Sequence, residues 1–159
     1  MAAANRVGAA DAIVASPLER ALHTAQFFAT ATGVGPVMVD EDLVERDVGE
    51  WSGLTRHEID QGWPGYLASD RRLPSFEPDD ALVGRALAAM ARIRATFDGA
   101  TVLVITHGGL IGSLERHHGE QTGRVPNLAG RTFSLDGNAV VLGERITLLD
   151  DDELTVPAT

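Results

Sequence analysis

The chain has 159 residues, a formal net charge of −10, no cysteine, and thirteen basic residues that are all arginine. The missing lysine excludes Schiff-base chemistry and a Walker A phosphate loop. The missing cysteine excludes disulfides, thiolate nucleophiles and zinc-finger or iron–sulfur sites. The acidic balance argues against a phosphate-tracking surface, so no nucleic-acid partner is expected. This length suits one domain over residues 1–159, and 44% hydrophobic against 23% charged residues marks a globular chain. Met1–Ala10 is broken by Asn5, Arg6 and Gly8 and lacks the apolar core of a signal peptide. No run approaches the roughly 18 apolar residues that span a bilayer. A cytoplasmic protein without a membrane partner is the expectation.

In chain order, Ala12–Ala15 is a short apolar run that predicts a buried strand. Ser16-Pro17-Leu18-Glu19 predicts a helix start, with Ser16 as N-cap, Pro17 at the first helical position and Glu19 completing a capping box. Leu18, Leu22, Ala25 and Phe28 line one face, and Gly33 stops the helix. Val37–Val39 reads as a second strand. Thr55-Arg56-His57-Glu58 is another capping box and opens a shorter helix. Trp63–Pro78, with three prolines, reads as a long surface excursion of the kind that often carries function.

Asp79 or Asp80 is expected to cap the next helix, whose Leu82, Ala86, Met90, Ile93 and Phe97 form an apolar stripe ended by Gly99. Thr101–Thr106 is the strongest strand signal, apolar on both faces as a central parallel strand should be. It runs into His107-Gly108-Gly109 and a helix from Leu110 to about His117. Thr132–Leu135, Ala139–Leu142 and Arg145–Leu149 read as closing strands, with Asp136-Gly137 as a turn. The acidic run Asp150–Glu153 reads as a solvated tail. Helices between strands imply a mostly parallel sheet covered on both faces, a three-layer α/β/α sandwich.

Two strand-to-helix junctions carry the chemistry, Ala15/Ser16 and Thr106/His107. Ligands of parallel sheets gather outside the carboxyl ends of the strands, where helix N-termini present free N–H groups to an anion. Arg20 lies in the first turn at one junction and His107 at the other, a guanidinium fork and an imidazole suited to phosphate. Each also has an ordinary structural reading. Histidines after strands commonly cap or pack, and first-turn arginines commonly face solvent.

Three segments in order carry a family resemblance. Ala15-Ser16-Pro17-Leu18-Glu19-Arg20-Ala21-Leu22-His23-Thr24-Ala25 resembles the SPLxRAxxTA segment of the histidine phosphatase, or phosphoglycerate-mutase-like, superfamily. Leu43–Gly53 resembles its second motif, an acidic residue before G-x-W-x-G, and Val102–Gly109 its third. The resemblance implies a phosphoglycerate-mutase-like fold and phosphoryl transfer from small phosphomonoesters through a phosphohistidine, with no metal and no cofactor. Carried over by position, Ser16, Arg20, His107 and Gly108 would bind the phosphoryl group. Arg20 and His107 would also act in catalysis by holding its oxygens as charge spreads, and Glu45 would protonate the leaving alkoxide and then activate water.

One family element is missing. The sequence has no R-H-G tripeptide, which in the family follows the first strand and supplies the nucleophilic histidine. His23, His57, His117 and His118 have helical or capping positions and do not replace it, and Arg46, Arg71, Arg72 and Arg131 are expected on a solvated face. The sheet is therefore expected to lack its first strand, the domain to be N-terminally truncated relative to the family, and the chain as given to be inactive or very weak. An unpaired strand edge implies poor solubility or a homodimer built on that edge. Two explanations stand: part of an ordinary phosphatase, or a catalytically silent phosphate-binding module. Within the first, hydrolysis is favoured over mutase-type transfer, because Trp63–Pro78 is short for a loop that embraces phosphoglycerate.

Overall fold

Four small or branched apolar residues become buried on both sides only when helices cover both faces of their sheet. The computed structural model, which describes residues 7–69, 71–120, 123–136 and 139–149, places Ala12–Ala15 (β1) in that position. β1 is the middle strand of a three-stranded parallel sheet, between Met38–Val39 (β2) and Val102–Ile105 (β3). Parallel neighbours need crossovers. Glu19–Thr32 (α1) joins β1 to β2, and the short helix Arg56–Gly62 (α2) and the long helix Asp79–Thr96 (α3) lie between β2 and β3.

The alternation of side chains across a strand assigns each helix its face. Ala25 and Phe28 of α1 pack on Ile13 and Ala15, with Leu103 and Ile105 alongside. Ala89 and Ile93 of α3 pack on Val14, with Val102 and Val104 alongside. The expected three layers are therefore present. Gly108–His117 (α4) docks on α3 through Leu110 and Leu114 against Leu82, Val83 and Ala86.

β3 is not the central strand that its apolar pattern predicts. It pairs with β1 alone among the described residues, and all four of its residues are half-buried. Apolarity on both faces reports helices above and below, not neighbours on both edges. The three predicted closing strands are two, Ala129–Asp136 (β4) and Ala139–Thr147 (β5), in an antiparallel hairpin that forms its own sheet. β5 continues through Gly143 because the register shifts there, and a Cβ on Gly143 would lie 2.1 Å from Thr132 Oγ1. Gly137 of the predicted turn and the run Asp150–Glu153 fall outside the described residues.

Helix ends also differ from expectation. The Ser16 cap is not formed: α1 begins at Glu19, with Leu18 as N-cap and no side-chain cap bond. Pro78, not an aspartate, is the N-cap of α3, and Asp79 and Asp80 lie in its first turn. The Thr55–Glu58 capping box is present, and Gly33 ends α1 at a φ of 74°. The Trp63–Pro78 excursion is more than surface. Leu73 packs with Trp51 and Ile59, and Trp63, Tyr66 and Phe76 close around them. No helix among the described residues is long and apolar enough to cross a membrane.

Candidate active site

The register of β1 on β3 builds the centre of the site. Ala15 pairs with Ile105, and Ser16 N–H donates to Ile105 O at 2.9 Å, so the two strands end side by side. The next residues, Ser16 and His107, then meet: His107 Nε2 lies 2.8 Å from Ser16 Oγ. Arg20, in the first turn of α1, reaches back, with Nη2 3.1 Å from His107 Nδ1. Guanidinium is a donor only, so Nδ1 accepts and Nε2 carries the ring proton, donated to Ser16. Ser16 Oγ also accepts the Leu18 N–H at 3.3 Å. That explains the missing cap, since the hydroxyl serves the turn before the helix and the imidazole across the junction.

His107 and Ser16 are buried, whereas Arg20 is exposed. Burial holds the His107 imidazole below its ordinary value, and the neighbouring Arg20 charge adds to this, while Glu45 opposes it. Gly108 is exposed at the start of α4, with His107 as N-cap.

Glu45 approaches the same helix start from the other side. Its Oε2 accepts the Gly109 N–H at 3.3 Å and its Oε1 accepts the Arg46 N–H at 2.9 Å. The approach depends on Gly109 having no side chain, because a Cβ there would lie 2.4 Å from Glu45 Oε1. The segment is tied to the sheet nearby, where Thr106 Oγ1 donates to Leu43 O at 2.7 Å. Ser16, Arg20, Glu45, His107 and Gly108 thus surround the Ser16–His107 junction and the start of α4. A cleft of about 730 Å³ between α3 and the hairpin, lined by Leu87, Met90 and Val140 among others, lies elsewhere.

Two of the arginines expected on a solvated face are inside. Arg46 donates to Glu77 O at 2.6 Å and Ser113 Oγ at 2.8 Å and pairs with Asp79. Arg131 and Arg145 both engage Glu115, which is fully buried in α4 and joins that helix to the hairpin. Buried carboxylates require such partners. Arg71 and Arg72 are exposed, and Arg71 stacks 4.3 Å from the Tyr66 ring centroid. His57, His117 and His118 are exposed, and His23 is exposed 3.7 Å from Glu19. Among the described residues no group of three or more His, Asp or Glu is placed to hold a metal ion.

Sequence reasoning missed Arg85 and Glu77. Arg85 uses five N–H bonds: to both oxygens of Glu77 at 2.7 and 3.0 Å, and to the carbonyls of Asp42 (2.6 Å), Val44 (2.8 Å) and Glu45 (3.2 Å). The one available signal was its place beside Leu82 and Ala86 on the buried face of α3, where a charge needs a partner.

The family model of the histidine phosphatase superfamily, branch 1, matches residues 2–136, and the chain belongs to that superfamily. It is 39% identical over 107 residues to a bifunctional protein of Mycobacterium tuberculosis, covering 64% of this chain and 29% of that one. It is 37% identical over 109 residues to phosphoglycerate mutase-like protein 4 of Arabidopsis thaliana, covering 64% and 47%. Glucosyl-3-phosphoglycerate phosphatase of M. tuberculosis is 35% identical over 115 residues, covering 64% and 51%. The matched region thus spans about half or less of these curated relatives. A solved structure of mycobacterial glucosyl-3-phosphoglycerate phosphatase with inorganic phosphate superposes with a TM-score of 0.77 at 25% identity, over 92% of this chain and 83% of that one.

Proposed function

We propose that this chain binds the phosphoryl group of a small phosphomonoester between Arg20, His107 and the start of α4, and that Glu45 is the proton donor to the leaving oxygen. The reading rests on one observation, the convergence of Arg20 and His107 on each other at the paired strand ends. An arriving phosphoryl oxygen would replace the Arg20–His107 bond, taking a donor from Arg20 and, once Nδ1 of His107 is protonated, a second from the imidazole. Ser16 would bind indirectly, by holding the imidazole from behind. The phosphate bound in the related phosphatase structure supports this reading.

Hydrolysis through a phosphohistidine transfers phosphorus from the ester oxygen to a nitrogen and then to water. Glu45 would give a proton to the departing alkoxide and take one from the water. The nucleophile is not His107, whose Nδ1 faces Arg20 and whose Nε2 faces Ser16. The 159-residue chain alone is therefore expected to bind phosphate and hydrolyse weakly or not at all. The exposure of the other four histidines favours a second reading, a silent phosphate-binding module.

The test assays an aryl phosphate with this chain and with the residues encoded upstream in frame attached. Hydrolysis by the longer chain only, lost in His107→Ala, supports the enzyme reading; inorganic phosphate bound by both with hydrolysis by neither supports the module. Activity of the 159-residue chain that survives His107→Ala overturns the mechanism. Release to an alcohol acceptor in preference to water would indicate mutase-type transfer.

A further inference from the structure

The geometry points to Arg85, charge-balanced by Glu77, as the positioning residue that holds Glu45 against the start of α4. The inference deepens the reading of Glu45 as proton donor and rests on it for its functional meaning. Glu45 lies in an irregular segment between two short 3₁₀ turns, Glu41–Leu43 and Gly49–Trp51, so no regular hydrogen-bond ladder fixes its backbone. Beside the Thr106 hydroxyl on Leu43 O, the Arg85 guanidinium supplies much of that order. Its bonds to the Asp42, Val44 and Glu45 carbonyls gather the segment onto α3.

Glu77 completes the device from the far end of the Trp63–Pro78 excursion. It takes two Arg85 bonds as a fork and accepts the Asp47 N–H at 3.1 Å, while its own N–H donates to Asp47 O at 2.8 Å. Its carbonyl also receives Arg46, the neighbour of Glu45. The Arg85 side chain is 17% exposed and that of Glu77 15%, and hydrogen bonding from Arg85 holds the Glu77 carboxyl below its ordinary value. All five guanidinium donors are spent, three on main-chain carbonyls. A lysine ammonium has three donors and no planar fork, so it cannot reproduce this set.

The consequence is read at Glu45 without substrate. Gly109 and Arg46 donate their amides to its two carboxylate oxygens. In amide NMR spectra, protonating the carboxylate with acid should displace both amide signals, one step each, in the unaltered chain. Glu45→Gln should abolish that step. In Arg85→Gln and Arg85→Lys the Gly109 step should shrink about twofold or more as the charge-assisted bond is lost, while the Arg46 amide keeps its step. Glu77→Gln keeps the size of the side chain and should give an intermediate loss, and it carries the test if the Arg85 variants do not fold.

A merely structural role would lower the melting temperature and leave the Gly109 step intact. A full-sized Gly109 step in the folded Arg85 variants, or in Glu77→Gln where those do not fold, overturns the inference. So does a Gly109 step that persists in Glu45→Gln. No phosphate enters the measurement, so failure of Glu45 as proton donor in the hydrolysis assay would leave this result standing.

Discussion

Arg20 and Arg85 are the same side chain in opposite states. Arg20 stands exposed in the first turn of α1, and its side chain makes one hydrogen bond among the described residues, to His107. Arg85 is largely buried, and each of its five donors has a protein acceptor. Arg46 resembles Arg85, with its guanidinium spent on Glu77, Ser113 and Asp79. Positive charge near a crevice is therefore a poor guide to anion binding. The useful quantity is unspent donor capacity: Arg20 can take phosphate oxygens at the loss of one bond, whereas Arg85 could do so only by releasing the Glu45 segment.

Arg85→Gln separates the two most strongly. Removing one member of a largely buried ion pair leaves a carboxylate and carbonyls short of donors, and about 3 kcal/mol of unfolding free energy should be lost in a urea titration. Arg20→Gln should change stability by no more than about 0.5 kcal/mol, as an exposed substitution does. Its effect should fall on inorganic phosphate, whose affinity should drop about tenfold to a hundredfold by calorimetry, since a bond to a charged group is lost. Equal stability losses in the two variants would break the distinction between spent and unspent guanidinium.

The sequence made much of this visible, and the gaps have physical causes. Ala12–Ala15, Val102–Ile105 and the motifs placed Ser16, Arg20, Glu45 and His107, because those positions depend on local pattern and on parallel strands ending together. That β3 pairs with β1 alone among the described residues does not show in its own pattern, because burial along a strand records the layers above and below and says nothing of pairing on either side. Ser16 looked like a cap, because the signal for a cap is a hydroxyl before a helix, and local sequence cannot announce an imidazole arriving from residue 107. Arg85 and Glu77 were hidden for the same reason: their partners in the 42–47 segment lie 30 to 43 residues away.

A smaller effect tests the Glu45 side of the contrast through two helical glycines. A Cβ on Gly84 would meet nothing within 4 Å, so Gly84→Ala should stabilise the chain by up to about 1 kcal/mol through helix propensity alone. On Gly109 the same atom would lie 2.4 Å from Glu45 Oε1, and the carboxylate must move. Gly109→Ala should forgo that gain and destabilise by about 1 kcal/mol. Thermal unfolding of the pair checks it. Equal stabilisation by both would mean that Glu45 leaves the start of α4 freely and that its fixation by Arg85 is of little consequence.

The smallest effect is the pH response of the junction itself. His107 lies below its ordinary value of 6.5, chiefly through burial and then through Arg20. In the window between its folded value and about 6.5, the unfolded chain binds a proton that the folded chain refuses. This contribution to stability is present above about pH 6.5 and is lost as pH falls through the folded value, a window separate from the more acidic one in which Asp40 and Glu77 are protonated. A bound dianion reverses the preference, because a protonated imidazole can donate to it and the anion offsets the Arg20 charge. Sulfate is the better probe, since phosphate itself titrates near neutrality. Sulfate should raise the His107 midpoint in a proton NMR titration, and its affinity should therefore increase as pH falls toward that midpoint. Arg20→Gln should weaken both effects, because Arg20 shares the anion. A His107 midpoint indifferent to sulfate would mean that the imidazole takes no part in holding an anion beside the open arginine.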